Sequence, residues 1–129
     1  MVNPLFQKTI AKSTVKPEIF FGVLFHSRDC MHLTHLQTLS FAEHKALNKY
    51  YEGILDLTDD LIETYFGLAG KRVSIKIPQS EFINAQAHLK QLYSYIESNR
   101  NIFEESHLQN IIDEICALIN KTQYLLTLS

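Results

Sequence analysis

Four side chains able to bind a metal stand at a defined spacing: His32, His44, Asp59 and Glu63 read H-x11-H-x14-D-x3-E. Imidazole nitrogen and carboxylate oxygen, with no thiolate, form a donor set suited to Fe(II) that also accepts Zn(II). Such a set leaves positions open for peroxide or dioxygen. His35, Asn48, Glu52 and Asp56 lie close enough in sequence to serve as weaker additional ligands or entry acids. The four-residue step from Asp59 to Glu63 places both acids on one face of a helix. Fifteen helical residues nevertheless set His44 about 22 Å from Asp59, whereas the ligands of one ion lie about 2 Å from it and within about 4 Å of one another. A single chain cannot complete the set, but a twofold-related copy can.

These residues need long helices to hold them. Lys16-Pro17-Glu18 reads as a helix start, with proline at a first helical position and an acid in the first turn. A first helix is expected over 17–36, with Gly22 its weak point. Ser40-Phe41-Ala42-Glu43 reads as a capping box, the Ser40 hydroxyl accepting from the Glu43 amide and the Glu43 side chain reaching back to the Ser40 amide. The second helix should run to about Phe66, where the Gly67 to Gly70 segment closes it. The stretch KRVSIKIPQ alternates but has no partner strand, and so reads as an extended crossover. Ser80 is expected to cap a third helix ending at Ser98-Asn99. A fourth follows from Glu104 to Leu126 with the clearest three-four apolar repeat in the chain, carried by Leu108, Ile111, Ile112, Ile115, Leu118, Ile119 and Leu125. The expected fold is all-α, a four-helix bundle with a crossover between its second and third helices.

On the second helix, 100° per residue counted from Glu52 puts Leu47, Tyr50, Ile54, Leu57, Leu61 and Tyr65 between about 140° and 220°, facing the core. Glu52, Asp56, Asp59 and Glu63 fall between about -20° and 40°, on the outside. A further strip of Tyr51, Leu55, Ile62 and Phe66, with His44 and Asn48, lies beside the acids. It is expected to face either a second subunit or the first helix and crossover.

The H-x11-H-x14-D-x3-E pattern resembles the ferroxidase motif of the Dps mini-ferritins, in which two histidines from the end of the first helix and the start of the second join an Asp and a Glu of the second. The stretches AQAHLKQLYSYIESNR and Glu104 to Leu126 resemble that family's third and fourth helices, and the likeness covers residues 17–126. It implies a ferritin-like bundle forming a twofold dimer within a larger homo-oligomer, a dodecamer in that family. In the shared site His32 and His44 of one chain meet Asp59 and Glu63 of its mate. The implied activity is oxidation of Fe(II) by hydrogen peroxide or dioxygen, with ferric mineral stored in the cage. Asp59 and Glu63 would hold iron most directly, and His32 and His44 would complete its shell. The chain departs from the family pattern at Asn48, where another acid is common, and at Leu33, where an aromatic is usual. The 36–39 loop lacks a glycine, and the link from Gly70 to Ser80 is too short for the family's crossover helix. The alternative expectation is a non-enzymatic ferritin-like protein with a degenerate metal site and a structural or assembly role.

Composition narrows the rest. The 129 residues are 46% hydrophobic and 20% charged with net charge -2, so a single domain is expected and bulk positive charge gives no reason to bind nucleic acid. Residues 1–16 carry Lys8, Lys12 and Lys16 without an acid and are expected to form a loose basic arm with at most weak attraction for DNA. Two cysteines, Cys30 and Cys116, imply no disulfide framework and fit a reducing cytoplasm. No apolar run of 18 residues or export signal is seen, so no membrane partner is expected. Neither a phosphate-binding G-x-x-x-x-G-K-[ST] loop nor a G-x-S-x-G elbow occurs. The single E-x-x-H step at Glu104 to His107 reads as a polar helix start. His26 and His88 have no matching partners.

Overall fold

The computed structural model describes residues 11–129 and contains four α-helices: α1 (Pro17–Gln37), α2 (Phe41–Ala69), α3 (Ala85–Asn99) and α4 (Ser106–Leu126), with a 3-10 turn at Arg100–Ile102. Among the described residues there is no strand. Pro17 opens α1 with Glu18 in its first turn, and the amides of Ile19 and Phe20 bond to the Lys16 carbonyl. Ser40 caps α2 by accepting from the Glu43 amide at 3.1 Å. The return half of the expected capping box is replaced, because the Ser40 amide donates instead to Thr38 Oγ1 at 3.1 Å. At the other end Gly70 takes φ 69°, the left-handed conformation that a glycine adopts without a Cβ penalty, and its amide closes on the Phe66 carbonyl. The helix thus runs three residues past the expected stop at Phe66.

Contacts fix the directions of the helices. Ser27 meets Tyr50 and Phe21 meets Tyr65, so α1 and α2 are antiparallel. His88 meets Ser27 and Tyr95 meets Phe20, so α3 is antiparallel to α1. Leu118 lies against Gly53, while Leu125 and Leu128 lie beside Ala42 and Lys45, so α4 is antiparallel to α2. Helix α1 packs on α2 and α3, and α4 packs on the same two. Between Gly70 and Ala85 the chain has no regular structure and travels along α1. The Lys76 carbonyl lies where a Cβ on Gly22 would sit, the Pro78 carbonyl is 3.3 Å from His26 Nδ1, and the Ile83 amide donates to Thr34 Oγ1 at 3.2 Å. Gly22 is therefore in the helix because the crossing backbone needs its missing side chain.

The expected Ser80 cap is corrected. Thr34 holds the Ile83 backbone out of the helix, and α3 begins four residues later with Asn84 as its cap, accepting from the Ala87 amide at 2.9 Å. Helix α4 likewise starts at Ser106 rather than Glu104, because Phe103 turns inward to pack on Phe20, Phe21 and Tyr65. Arg100 fastens the α3–α4 turn through Gln109 and Asp113. Residues 1–10 of the expected arm lie outside the described residues. Its remainder is held rather than loose: the Ser13 amide donates to Asn101 Oδ1 at 2.8 Å, Ser13 Oγ bonds Asn99, and Lys12 pairs with Glu104.

The core combines Leu47, Tyr50, Ile54 and Leu61 of α2 with Phe20, Phe21 and Leu24 of α1, Leu89 and Ile96 of α3, and Leu108, Ile112, Ile115 and Ile119 of α4, all fully buried. Each such aliphatic or aromatic side chain contributes about 1.5–3 kcal/mol relative to exposure. Leu57 and Tyr65, from the same expected arc of α2, are half-buried against this core.

Candidate functional site

The short turn between α1 and α2 brings three histidines together. The rings of His35 and His44 stack with centroids 3.7 Å apart and planes 20° from parallel. His35 Nδ1 lies 2.6 Å from the His44 carbonyl, and His44 Nδ1 lies 2.8 Å from the His35 carbonyl. A carbonyl can only accept, so both Nδ1 atoms carry their proton and donate. The His35 carbonyl belongs to the last turn of α1, where helical partners run out, and His44 satisfies it from the next helix. In each neutral ring the lone pair then resides on Nε2.

His32 occupies the next turn back on α1. Its ring stacks on Tyr51 at 4.2 Å and 14°, and lies 6.1 Å from that of His35. Burial first, then the charges of Arg28 and His35, lower its pKa below the usual 6.5 against an opposing effect of Asp29. Arg28 lies over the Tyr51 ring and pairs with Asp29 at 3.1 Å, while the Tyr51 hydroxyl donates to Asn48 Oδ1 at 2.9 Å.

Asp59 and Glu63 are exposed on α2, as are Glu52 and Asp56, and none of the four makes a side-chain hydrogen bond or ion pair among the described residues. The outward direction expected for this row is the one observed. The structure therefore assembles the imidazoles at one end of the α1–α2 pair and leaves Asp59 and Glu63 about 22 and 29 Å from His44 along α2. Among the described residues no group of three or more His, Cys, Asp or Glu within the chain is arranged to hold a metal ion.

Part of the neighbouring apolar strip is not available to a second subunit. Ile62 is buried and Tyr51 lies against His32, because α2 has two helical neighbours, α1 and α4, and its apolar arc is wide enough for both. Phe66 is half-buried against the core.

A second polar cluster went unread in the sequence. Deep between α1, α2 and α3, the Ser27 hydroxyl is 2.7 Å from the Tyr50 hydroxyl and 2.8 Å from His88 Nε2. Cys30 Sγ lies 3.5 Å from His26 Nε2. Burial, and then His26, push His88 down to about 4, while burial raises the Tyr50 hydroxyl above its ordinary 10. Only the i,i+4 step from His26 to Cys30 was visible locally; the other partners come from three helices.

The chain is similar to the "Uncharacterized 14.6 kDa protein in mobD-ri intergenic region" of Enterobacteria phage T4, with 27% identity over 115 residues covering 88% of this chain and 89% of the relative. No solved structure gives a significant match. Among the described residues no helix is long and apolar enough to cross a membrane. Residues 35–126, which hold His35, His44, the whole acidic row and helices α2 to α4, match the "Family of unknown function (DUF5856)". The chain belongs to that family.

Proposed function

We propose that this protein is a Dps-like, ferritin-type iron oxidase whose site is shared between two copies of the chain. The observation that carries the reading is the His35–His44 pair. Its two Nδ1 protons are committed to backbone carbonyls, which orients His44 and reserves its Nε2 for a ligand, the arrangement in which histidines bind metals. His32 on the preceding turn of α1, and the exposed Asp59 and Glu63 of a twofold mate, supply the remaining donors. The α2–α3 crossing, which lets those two helices run in the same direction, supports a ferritin-like bundle.

Iron is the substrate. Two Fe(II) ions each give one electron to hydrogen peroxide, whose O–O bond breaks to yield two waters once two protons are taken up. The carboxylates offset the charge of the bound cations, and the imidazoles complete the shell. Dioxygen is the alternative oxidant, and Zn(II) would compete for the same donors. Storage of the ferric product in a larger homo-oligomer, a dodecamer by resemblance, in the cytoplasm, belongs to the same reading.

Anaerobic Fe(II) titration followed by peroxide tests it. Saturable binding and turnover should disappear in His44→Ala and Glu63→Ala. Unchanged turnover in both variants sinks the proposal. One observation favours a second reading, a ferritin-like assembly protein without catalysis: Asn48 stands where a further acid would help hold iron, and its oxygen already accepts from Tyr51.

A further inference from the structure

Six of the nine exposed large apolar side chains among the described residues stand at one end of the bundle. Leu36 is in the last turn of α1, Leu39 in the turn that follows and Phe41 at the start of α2, while Phe82 precedes α3 and Tyr124 and Leu128 close α4. All are more than half exposed, and Leu39 is wholly so. Lysines stand behind them: Lys45 and Lys49 on α2, Lys90 on α3 and Lys121 on α4, about 6–12 Å from the helix ends. All four are exposed, and none is in an ion pair among the described residues. Two open grooves flank the last turns of α4. One, of about 260 Å³, is lined by Ala42, Ala46, Leu125 and Leu128 with Lys45 and Lys49. The other, of about 350 Å³, contains Lys90 beside Tyr124. No acid lines either groove, in a chain with 14 acids against 12 Lys and Arg. The acids of this end, Glu43 and Glu81, lie on the side of Phe82.

We propose that this end of the bundle seats on an anionic lipid surface, with Leu39, Phe41 and Leu128 below the headgroups and the lysines level with the phosphates. The depths agree, because interfacial proteins sink apolar groups about 5–10 Å and the lysines lie about 6–12 Å behind the apolar tips. Their ammonium groups then meet phosphate oxygens, which is what an anionic leaflet offers. The shape favours lipid over a folded partner: the tips project singly from three separate stretches of chain, and acyl chains close around each, whereas a protein would need a matching socket for every one. The groove between α2 and α4 gives an acyl chain an apolar floor under two ammonium groups. A second copy placed end to end would set these lysines against their own kind. The contact is peripheral. The expectation of no membrane partner rested on the lack of a spanning run, and seating of this kind needs none. It goes beyond the iron reading and does not depend on it, since the acidic row of α2 begins at Glu52, behind the lysines and away from the surface.

Flotation of the full chain with vesicles tests the docking. The protein should float with phosphatidylcholine vesicles containing about 30% phosphatidylglycerol and not with phosphatidylcholine alone, and binding should weaken as salt rises. The double variant Lys45→Glu, Lys49→Glu and the double variant Leu39→Ser, Leu128→Ser should each lower the partition coefficient about tenfold or more, whereas Lys71→Glu, Arg72→Glu at the opposite end of the bundle should change it about twofold at most. All six positions are exposed, so the fold should survive, and thermal unfolding checks this. The two native thiols are buried, so an environment-sensitive dye can be placed on a Leu39→Cys variant, where it should shift to the blue on binding, and on Arg72→Cys, where it should not. No flotation with either vesicle, flotation indifferent to lipid charge, or unchanged partition in either of the first two double variants overturns the proposal. A blue shift at position 72 without one at 39 does the same. So does sedimentation velocity, without vesicles, showing that the wild type self-associates and that Leu39→Ser, Leu128→Ser disperses it.

Discussion

His88 Nε2, on a half-buried ring, lies 2.8 Å from the buried Ser27 hydroxyl, and Ser27 in turn bonds Tyr50 at 2.7 Å. The chain of three can run in either direction while His88 is neutral, since each hydroxyl both donates and accepts. A proton on His88 fixes the direction and leaves a partly desolvated charge.

Stability should therefore fall in mild acid. The folded pKa of about 4 lies below the unfolded 6.5, so the unfolded chain binds the extra proton and stability rises with pH across that window. The contribution is complete above 6.5 and lost as pH falls towards 4, a span worth roughly 3 kcal/mol. Urea unfolding at several pH values should show this slope in the wild type and a clearly flatter one in His88→Gln.

The His35–His44 pair should stabilise the turn as well as orient a ligand. His35→Ala removes one hydrogen bond and the stacked ring, and is expected to cost about 1–3 kcal/mol. Thermal unfolding measures this. Asp59→Ala, on an exposed and unpaired group, should stay within about 0.5 kcal/mol when unfolding is compared at equal assembly state. The contrast separates loss of folding from the loss of Fe(II) binding that the proposed site predicts for Asp59→Ala.

Gly22→Ala should be among the most damaging small substitutions in the chain. Its Cβ would collide with the backbone carbonyl of Lys76, which can retreat only if the crossing segment lifts from α1, at a cost of about 1–3 kcal/mol. At Gly53 the atom met is a Leu118 methyl at 3.1 Å, a flexible neighbour, and the helix gains up to about 1 kcal/mol from alanine. Gly53→Ala is expected to be close to neutral by the same unfolding assay.

Both thiols should resist alkylation in the folded protein. Cys30 and Cys116 are buried, and burial, reinforced by Glu97, pushes the Cys116 thiol up to about 11. Thiolate is the reactive form, so labelling at pH 8 should be slow natively and complete in denaturant. Rapid native labelling of Cys116 would contradict this burial.

What the sequence made legible was local. Ser40, Gly70 and the α4 repeat are read within a few residues of themselves, and the core arc of α2 follows from helical period alone. The start of α3 was missed because Thr34, distant in sequence, holds Ile83 extended. Tyr51 and Ile62 were ambiguous because a period tells which residues share a face but not how many neighbours that helix has. Of the candidate site, the outward acids were visible in the pattern. The mutual bonding of His35 and His44 was not, since it depends on how tightly residues 38–40 turn.

The path of residues 71–84 along α1 bears on how the chain folds. Helices α1 with α2, and α3 with α4, are each hairpins joined by short turns, which close quickly, whereas bringing the two hairpins together requires the long segment to settle lengthwise. A nick within that segment would leave each hairpin intact with its own apolar stripe, and association of the two pieces would then become concentration-dependent, turning a step of folding into one of assembly.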